Sequence, residues 1–248
     1  MPNNYFQFQQ FRIEQSACAM KVSTDACLLG AAADLTNATH LLDIGTGTGL
    51  LALMAAQRHP TVAIEAVEID TVAAAQAASN VAGSPWAGRI RVHARSLAAY
   101  ASTAPALVAD SGLGFSHIIC NPPFFRQSLR SPDAARTTAR HEAADTLSFE
   151  ALAAFAAGLL AVNGQLTVLL PPPEMRDFEA ITAHFGLHPI TRLLVRHRPG
   201  SRPLRHITGF RQGASAIQES ELTIRTAESE AEYSAAFRAL LAGFYLAL

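Results

Sequence analysis

Three observations along the 248-residue chain predict an α/β fold: a doubly wound, mostly parallel sheet. Short apolar runs alternate with stretches of helical spacing, the first run ends in a glycine-rich turn, and a later run stops abruptly at Asn121-Pro122-Pro123-Phe124. Such alternation builds βαβ units with right-handed crossovers, and ligands of these sheets bind at the C-terminal ends of strands.

Residues 40–44 are apolar and run into Asp43-Ile44-Gly45-Thr46-Gly47-Thr48-Gly49. Leu50, Leu51, Leu53 and Met54 then continue at helical spacing to Arg58, giving strand, tight turn and helix. Residues 62–69 predict a second strand carrying Glu68 at its end, followed by an alanine-rich helix through Asn80. Residues 90–93 predict a third strand. A fourth holds Phe115, His117, Ile118, Ile119 and Cys120 and ends at Asn121. Residues 126–145 carry arginines and Ser131-Pro132-Asp133 without apolar periodicity, which predicts a mobile loop. Next come a helix over 149–160, a turn at Asn163-Gly164, a strand over 165–170 stopped by Pro171-Pro172-Pro173, and a helix over 174–185. Strand-like runs at 190–195, 206–210 and 222–225 and an amphipathic helix over 232–246 complete the chain. There is no internal repeat, and residues 1–248 are expected to form one domain, with residues 1–39 as an extension ahead of a core over 40–248.

An apolar content of 50% supplies a substantial core. The net charge of −1 gives no overall attraction for a polyanion, although an average can hide a patch. Cys18, Cys27 and Cys120 lack the Cys-x-x-Cys spacing of a zinc site and imply no disulfide framework, so no metal and a reducing cytoplasm are expected. Neither a signal peptide nor a membrane span is expected. Lys21 is the single lysine beside eighteen arginines, which is not read as function.

Gly45, Gly47 and Gly49 have G-x-G-x-G spacing, and Glu68 follows Gly49 by nineteen positions. Glycines there let backbone approach a ligand at a helix N-terminus, and a carboxylate at the next strand end can accept from both hydroxyls of a ribose. A dinucleotide would bring a pyrophosphate to such a turn. S-adenosylmethionine has none and carries an ammonium and a sulfonium, so an acid within the turn, Asp43, becomes useful. The pattern points to S-adenosylmethionine as cofactor, with Asp43, Gly45, Thr46, Gly47, Gly49, Glu68 and Ile69 around it. Asp70 competes for the ribose and ranks behind Glu68. The glycines taken alone would equally suit a plain strand-to-helix connection.

Asn121-Pro122-Pro123-Phe124 fits methylation of an amino nitrogen. In a planar amine such as adenine N6 the lone pair is delocalised into the ring, so attack on a methyl sulfonium requires the nitrogen to pyramidalise. The Asn121 side-chain carbonyl and the Pro122 main-chain carbonyl can each accept one N–H, leaving the lone pair aimed at the methyl group and favouring the transition state. Successive prolines fix that geometry beforehand, and Phe124 offers a face for base stacking, worth roughly 1–3 kcal/mol. The bland alternative is a proline-stopped strand followed by buried aromatics.

The glycine turn and Asn121-Pro122-Pro123-Phe124 together resemble the class I S-adenosylmethionine-dependent amino-methyltransferases. Met20-Lys21-Val22-Ser23-Thr24-Asp25, Leu28-Leu29-Gly30, Asn80, Ser84-Pro85-Trp86, Arg89-Ile90 and the terminal Phe244-Tyr245-Leu246 narrow this. Along nearly its whole length the chain resembles the tRNA1(Val) adenine-37 N6-methyltransferase family. The resemblance implies a Rossmann-like, seven-stranded sheet with one antiparallel strand, and methyl transfer from S-adenosylmethionine. It also implies tRNA as partner, with an adenine next to the anticodon as target. By carry-over, Lys21, Thr24 and Asp25 lie near the methionine end of the cofactor, which brings the N-terminal extension into the site. Ser23 and Ala26 stand where the family usually has glycines, predicting a stiffer or slightly displaced loop. Ser96 stands where an aspartate usually contacts the cofactor's adenine amine. Serine can accept that bond without charge assistance, and it equally suits an ordinary helix cap.

From Ala180 to Gln218 no acid occurs, yet Arg192, Arg196, Arg198, Arg202, Arg205 and Arg211 do. This predicts an RNA-facing rim in the late strands, aided by Phe125, Arg126, Arg130, Arg136 and Arg140, because arginine–phosphate contacts supply affinity without sequence information. The rim, Arg202 and Arg205 included, is expected to lie away from the glycine turn. The bland alternative pairs some of these arginines with helix acids such as Glu179. His141 and Glu142 lack further ligands at metal spacing.

Adenine N6 methylation of tRNA is therefore the first reading. Methylation of a glutamine amide in a protein also uses Asn-Pro-Pro-aromatic chemistry, but enzymes of that kind usually carry a helical recognition domain ahead of the core, and here the first core strand is reached at His40. An RNA-binding protein with a decayed cofactor site is motivated by Ser23, Ala26 and Ser96. A nucleotide-dependent oxidoreductase fails on the glycine spacing.

Overall fold

The computed structural model describes residues 4–103, 114–122, 147–213, 215–227, 229 and 231–247. The core strands are β3 (His40–Ile44), β4 (Ala63–Glu68), β5 (Ile90–Ala94), β6 (Phe115–Cys120), β7 (Leu160–Leu170), β8 (Leu187–Arg196), β9 (Pro203–Gln212) and β10 (Gln218–Thr223). They form one sheet in the order β10-β8-β9-β7-β6-β3-β4-β5. Strand β9 is antiparallel to β7 and β8, and every other pair is parallel. The single antiparallel strand matches expectation, but the sheet has eight strands rather than seven. The additional edge strand is β10, Gln-Glu-Ser-Glu-Leu-Thr, in which only Leu222 is buried. It overlaps the strand-like run expected at 222–225 and begins earlier, held by pairing with β8 without an apolar face of its own.

Alternating side chains along the strands divide the core. Leu41, Ile119 and Leu169 face a cluster shared with α1 (Thr24–Ala32), α2 (Leu50–Arg58) and α7 (Ala235–Leu241). Leu42, Ile118, Cys120, Val168 and Leu170 face the other, shared with α5 (Phe149–Leu159) and α6 (Pro172–His184). This period-two division is what a sheet covered on both faces requires. Helices α3 (Thr71–Ala82) and α4 (Leu97–Ala101) complete the crossovers. Ser23, Asp70, Ser96, Ser148 and Ser234 each cap a helix by accepting a backbone N–H two or three residues on.

Three local expectations change. The expected turn at Asn163-Gly164 lies within β7 as an irregularity: pairing with β6 jumps from Phe115–Leu160 to His117–Gln165, and Asn163 is left-handed at φ 65°. Pro172 and Pro173 open α6 rather than precede it, since the first turn needs no N–H there. The last helix covers only Ala235–Leu241. Ahead of the core, a hairpin of β1 (Tyr5–Gln7) and β2 (Arg12–Glu14) packs Phe6 and Phe8 against Tyr245. Helix α1 crosses α2 closely at Gly30, where a Cβ would stand 2.6 Å from Met54 Sδ.

Candidate functional site

Register brings the sequence-predicted residues to one end of the sheet. Ile44 pairs with Cys120 on one side and Val67 on the other, and Glu68 pairs with Ala94. Gly45, Glu68 and Asn121 therefore emerge together from β3, β4 and β6, with Ser96 two residues past the end of β5.

Gly45, Gly47 and Gly49 all have positive φ, 70°, 55° and 83°, a conformation that side chains oppose. Gly45 and Thr46 both donate their N–H to Val67 O, at 2.9 and 3.1 Å. A Cβ built on Gly45 or Gly47 would meet nothing within 4 Å, so open space lies over the turn. Asp43 sits beneath it, fully buried. Its Oδ2 accepts from Thr46 Oγ1 at 2.5 Å and from the Ala52 N–H at 3.2 Å. Its Oδ1 is buried without a hydrogen-bond partner among the described residues. Burial pushes the Asp43 carboxyl up to about 7 against the lowering effect of those two bonds.

Glu68 Oε2 accepts the Gly47 N–H at 2.9 Å and Oε1 the Asp70 N–H at 3.0 Å. A carboxylate oxygen accepts more than one bond, so both retain capacity for a ribose diol. Asp70 Oδ1 accepts the Val72 and Ala73 N–H groups and so caps α3. Ile69 is 43% exposed beside Glu68. Ser96 Oγ accepts the Ala99 N–H, the cap of the alternative reading. Asn121 Oδ1 is buried with no partner among the described residues, and Pro122 is buried. Pro123, Phe124, Phe125, Arg126, Arg130, Arg136, Arg140, His141 and Glu142 lie outside the described residues. An open cradle over the glycines, a partly free carboxylate and two unpartnered buried oxygens fit a cationic nucleoside cofactor such as S-adenosylmethionine.

The N-terminal segment approaches the same end. Burial, Glu68 and Asp70 together push the Cys18 thiol up. Lys21 and Thr24 are exposed, and Ser23 Oγ accepts the Ala26 N–H, so serine and alanine at these positions start a helix rather than stiffen a loop. Asp25, in the first turn of α1, accepts from Arg205 Nε at 2.7 Å. Arg205, expected at a rim away from the glycine turn, is therefore bonded to α1, where the resemblance places a cofactor contact. His206, its neighbour, pairs with Leu170 at the end of β7, which is why Arg205 reaches this end of the sheet.

Other late arginines are neutralised. Arg192 bonds Glu179 at 2.7 Å and Glu219, across the β8–β10 pair, at 2.5 Å. Arg196 bonds Glu221 at 2.7 Å. Arg202 is exposed in the β8–β9 connection with no ion pair among the described residues. Because β8 runs parallel to β6 and β3, this connection stands at the same end of the sheet as Asn121. Among the described residues no group of three or more His, Cys, Asp or Glu is placed to hold a metal, and no helix is long and apolar enough to cross a membrane.

Sequence reasoning noted Asn80 without a role. Its Oδ1 accepts the Glu14 N–H, and its Nδ2 donates to Glu14 O and to Thr48 O in the glycine turn, each at 2.9 Å. An asparagine among buried alanines of a helix is the signal that could have found it.

Residues 18–185 match the methyltransferase small domain family. The chain is 40% identical over 246 residues, 99% of either chain, to a tRNA1(Val) (adenine(37)-N6)-methyltransferase from Bacteroides fragilis. It is 41% identical to another from Pseudoalteromonas translucida, over 97% of this chain and 98% of that one. A predicted O-methyltransferase, protein Atu636 from Agrobacterium tumefaciens, shares the fold at a TM-score of 0.59 and 22% identity, over 89% and 96% of the two chains. With a matching domain, full-length relatives and a Rossmann-like methyltransferase sheet, this chain belongs to the tRNA1(Val) (adenine(37)-N6)-methyltransferase family.

Proposed function

We propose that this protein transfers a methyl group from S-adenosylmethionine to the N6 amine of adenine 37 in a tRNA. The observation that carries this reading is Asn121 Oδ1, a buried acceptor with no partner among the described residues, one strand away from the glycine turn. A polar atom left unpaired in the interior costs free energy unless a ligand takes the bond. The cofactor supplies an electrophilic methyl on a sulfonium. Glu68 accepts from its ribose hydroxyls, Ile69 covers the adenosine, and Ser96 accepts from the adenine amine with its remaining lone pair. Asp43 lies below its methionine end, with Lys21, Thr24 and Asp25 alongside. Asn121 and the Pro122 carbonyl accept the two N–H bonds of adenine N6 and hold the nitrogen pyramidal, the sequence assigning base stacking to Phe124 or Phe125. After transfer the nitrogen's surplus proton leaves to water, so no metal is needed. The adenine is flipped or already unstacked, as an anticodon loop allows. Arg202 meets a phosphate at the rim.

Glutamine methylation draws on the same clamp, and one assay separates the two. The protein is incubated with labelled S-adenosylmethionine and either unmodified total tRNA or a protein extract, and the products are digested. Label recovered as N6-methyladenosine supports the proposal; label on glutamine replaces it.

A further inference from the structure

We propose that Asn80 is a positioning residue that sets the wall of the cofactor site against its floor; the inference rests on the S-adenosylmethionine reading given above. The floor is the glycine turn, and the wall is the segment between Glu14 and α1. Nothing in the covalent chain fixes their distance, since about thirty residues and two elements separate them. Asn80, 5% exposed on α3, does so with one side chain. Its Oδ1 and Nδ2 bond both the N–H and the carbonyl of Glu14, as a neighbouring strand would, and Nδ2 also holds Thr48 O within the turn. The next residue, Gln15, is 5% exposed and carries the link onward: its Oε1 accepts the Val22 N–H at 2.9 Å. Val22 lies between Lys21 and Ser23, the cap of α1. A continuous set of hydrogen bonds therefore runs from the glycine turn, through Asn80 and Gln15, to the segment that carries Lys21, Thr24 and Asp25.

The geometry demands an amide at this position. Both hydrogens of Nδ2 are donated and Oδ1 accepts, so aspartate would keep the Glu14 N–H bond and lose both donors. With Thr48 O and Glu14 O released, the turn keeps its strand-end bonds to Val67, and the wall loses its register. Ground-state cofactor binding then suffers while the amine clamp at Asn121, two strands away from β4, is untouched. A uniform binding loss of this kind raises KM and leaves kcat.

The test compares wild type, Asn80→Asp and Gln15→Ala. Cofactor affinity is read by calorimetry, methylation of tRNA by steady-state kinetics, and amide exchange at Val22 and Ala52 by mass spectrometry. For Asn80→Asp we expect Kd and KM for S-adenosylmethionine to rise about tenfold or more, the scale of lost buried hydrogen bonds, with kcat at saturating cofactor within about twofold. Gln15→Ala, which cuts only the last link, moves the same constants in the same direction by less. Val22 exchange accelerates in both, while Ala52, held by Asp43, is unchanged. Unaltered cofactor affinity in both variants, or a fall in kcat without a change in KM, overturns the proposal. If Asn80→Asp does not fold, Gln15→Ala alone decides by the same criteria. Failure of wild type to bind S-adenosylmethionine overturns the cofactor reading and this inference with it.

Discussion

The strand ends around Asn121 and the basic late strands differ in how their polar groups are used. At the strand ends, Asp43 Oδ1 and Asn121 Oδ1 are buried without partners among the described residues, and Glu68 keeps acceptor capacity after bonding two N–H groups. In the late strands single atoms such as Arg192 Nε, Arg196 Nε and Thr208 Oγ1 also lack partners among the described residues, but three arginine charges there are paired. Arg192, Arg196 and Arg205 are bonded to Glu219, Glu221 and Asp25 from other elements. Unpartnered polarity held in a rigid place is what a ligand site needs, whereas a count of like charges along a segment says little until cross-strand partners are known.

The largest effect is expected at the clamp. Asn121→Ala removes an acceptor used in the transition state, so single-turnover methylation should slow by roughly 10²-fold or more with cofactor affinity unchanged. A near-normal rate would mean that the unpartnered oxygen has no part in the chemistry.

Next is Glu68→Ala. Loss of charge-assisted bonds should weaken S-adenosylmethionine binding by about 1.5–3 kcal/mol, measured by calorimetry. The same substitution releases the Gly47 and Asp70 N–H groups, so Glu68→Gln, which keeps one acceptor, should fall between the two.

The rim is tested by contrast within itself. Arg202→Ala should flatten the log–log salt dependence of tRNA binding by about one unit, the loss of one phosphate contact. Arg192→Ala should leave that slope alone and lower stability by about 0.5–1 kcal/mol, because its charge already serves Glu179 and Glu219. Equal slopes in all three proteins would erase the distinction drawn between free and paired arginines. Arg205→Ala should weaken cofactor binding, since its partner is Asp25.

A further effect concerns pH. Burial raises the Asp43 carboxyl to about 7 from its ordinary value of 3.8, so the folded state binds the proton more tightly than the unfolded chain does. Its contribution is fully present below pH 3.8 and is lost as pH rises toward and through 7. Denaturant titrations should show Asp43→Asn with a flatter decline of stability over that window; a parallel decline would mean that other groups set it.

What could be read from sequence was local. The glycine turn, Glu68 and Asn121 follow from residues next to one another and from the rule that parallel strands end together. Contacts between distant residues could not be read. Asp25 and Arg205 meet across 180 positions and Asn80 and Glu14 across 66, and only the packed sheet brings them together. The strand-like run at 222–225 marks only the end of β10, because its exposed glutamates give no apolar alternation, yet two of them neutralise arginines of β8. Ser96 shows a different limit. The residue type allowed a cap or a ligand contact, and the structure shows the cap while leaving a lone pair for the other role.

If the clamp at Asn121 serves one adenine amine, the base at position 37 decides whether methyl transfer occurs. Wild-type protein should be incubated with labelled S-adenosylmethionine and two unmodified tRNA transcripts that differ only at position 37, adenine in one and guanine in the other. Label is expected on the first transcript alone, recovered as N6-methyladenosine. Equal labelling of both transcripts, or labelling of neither while a protein glutamine is methylated in extract, would contradict it.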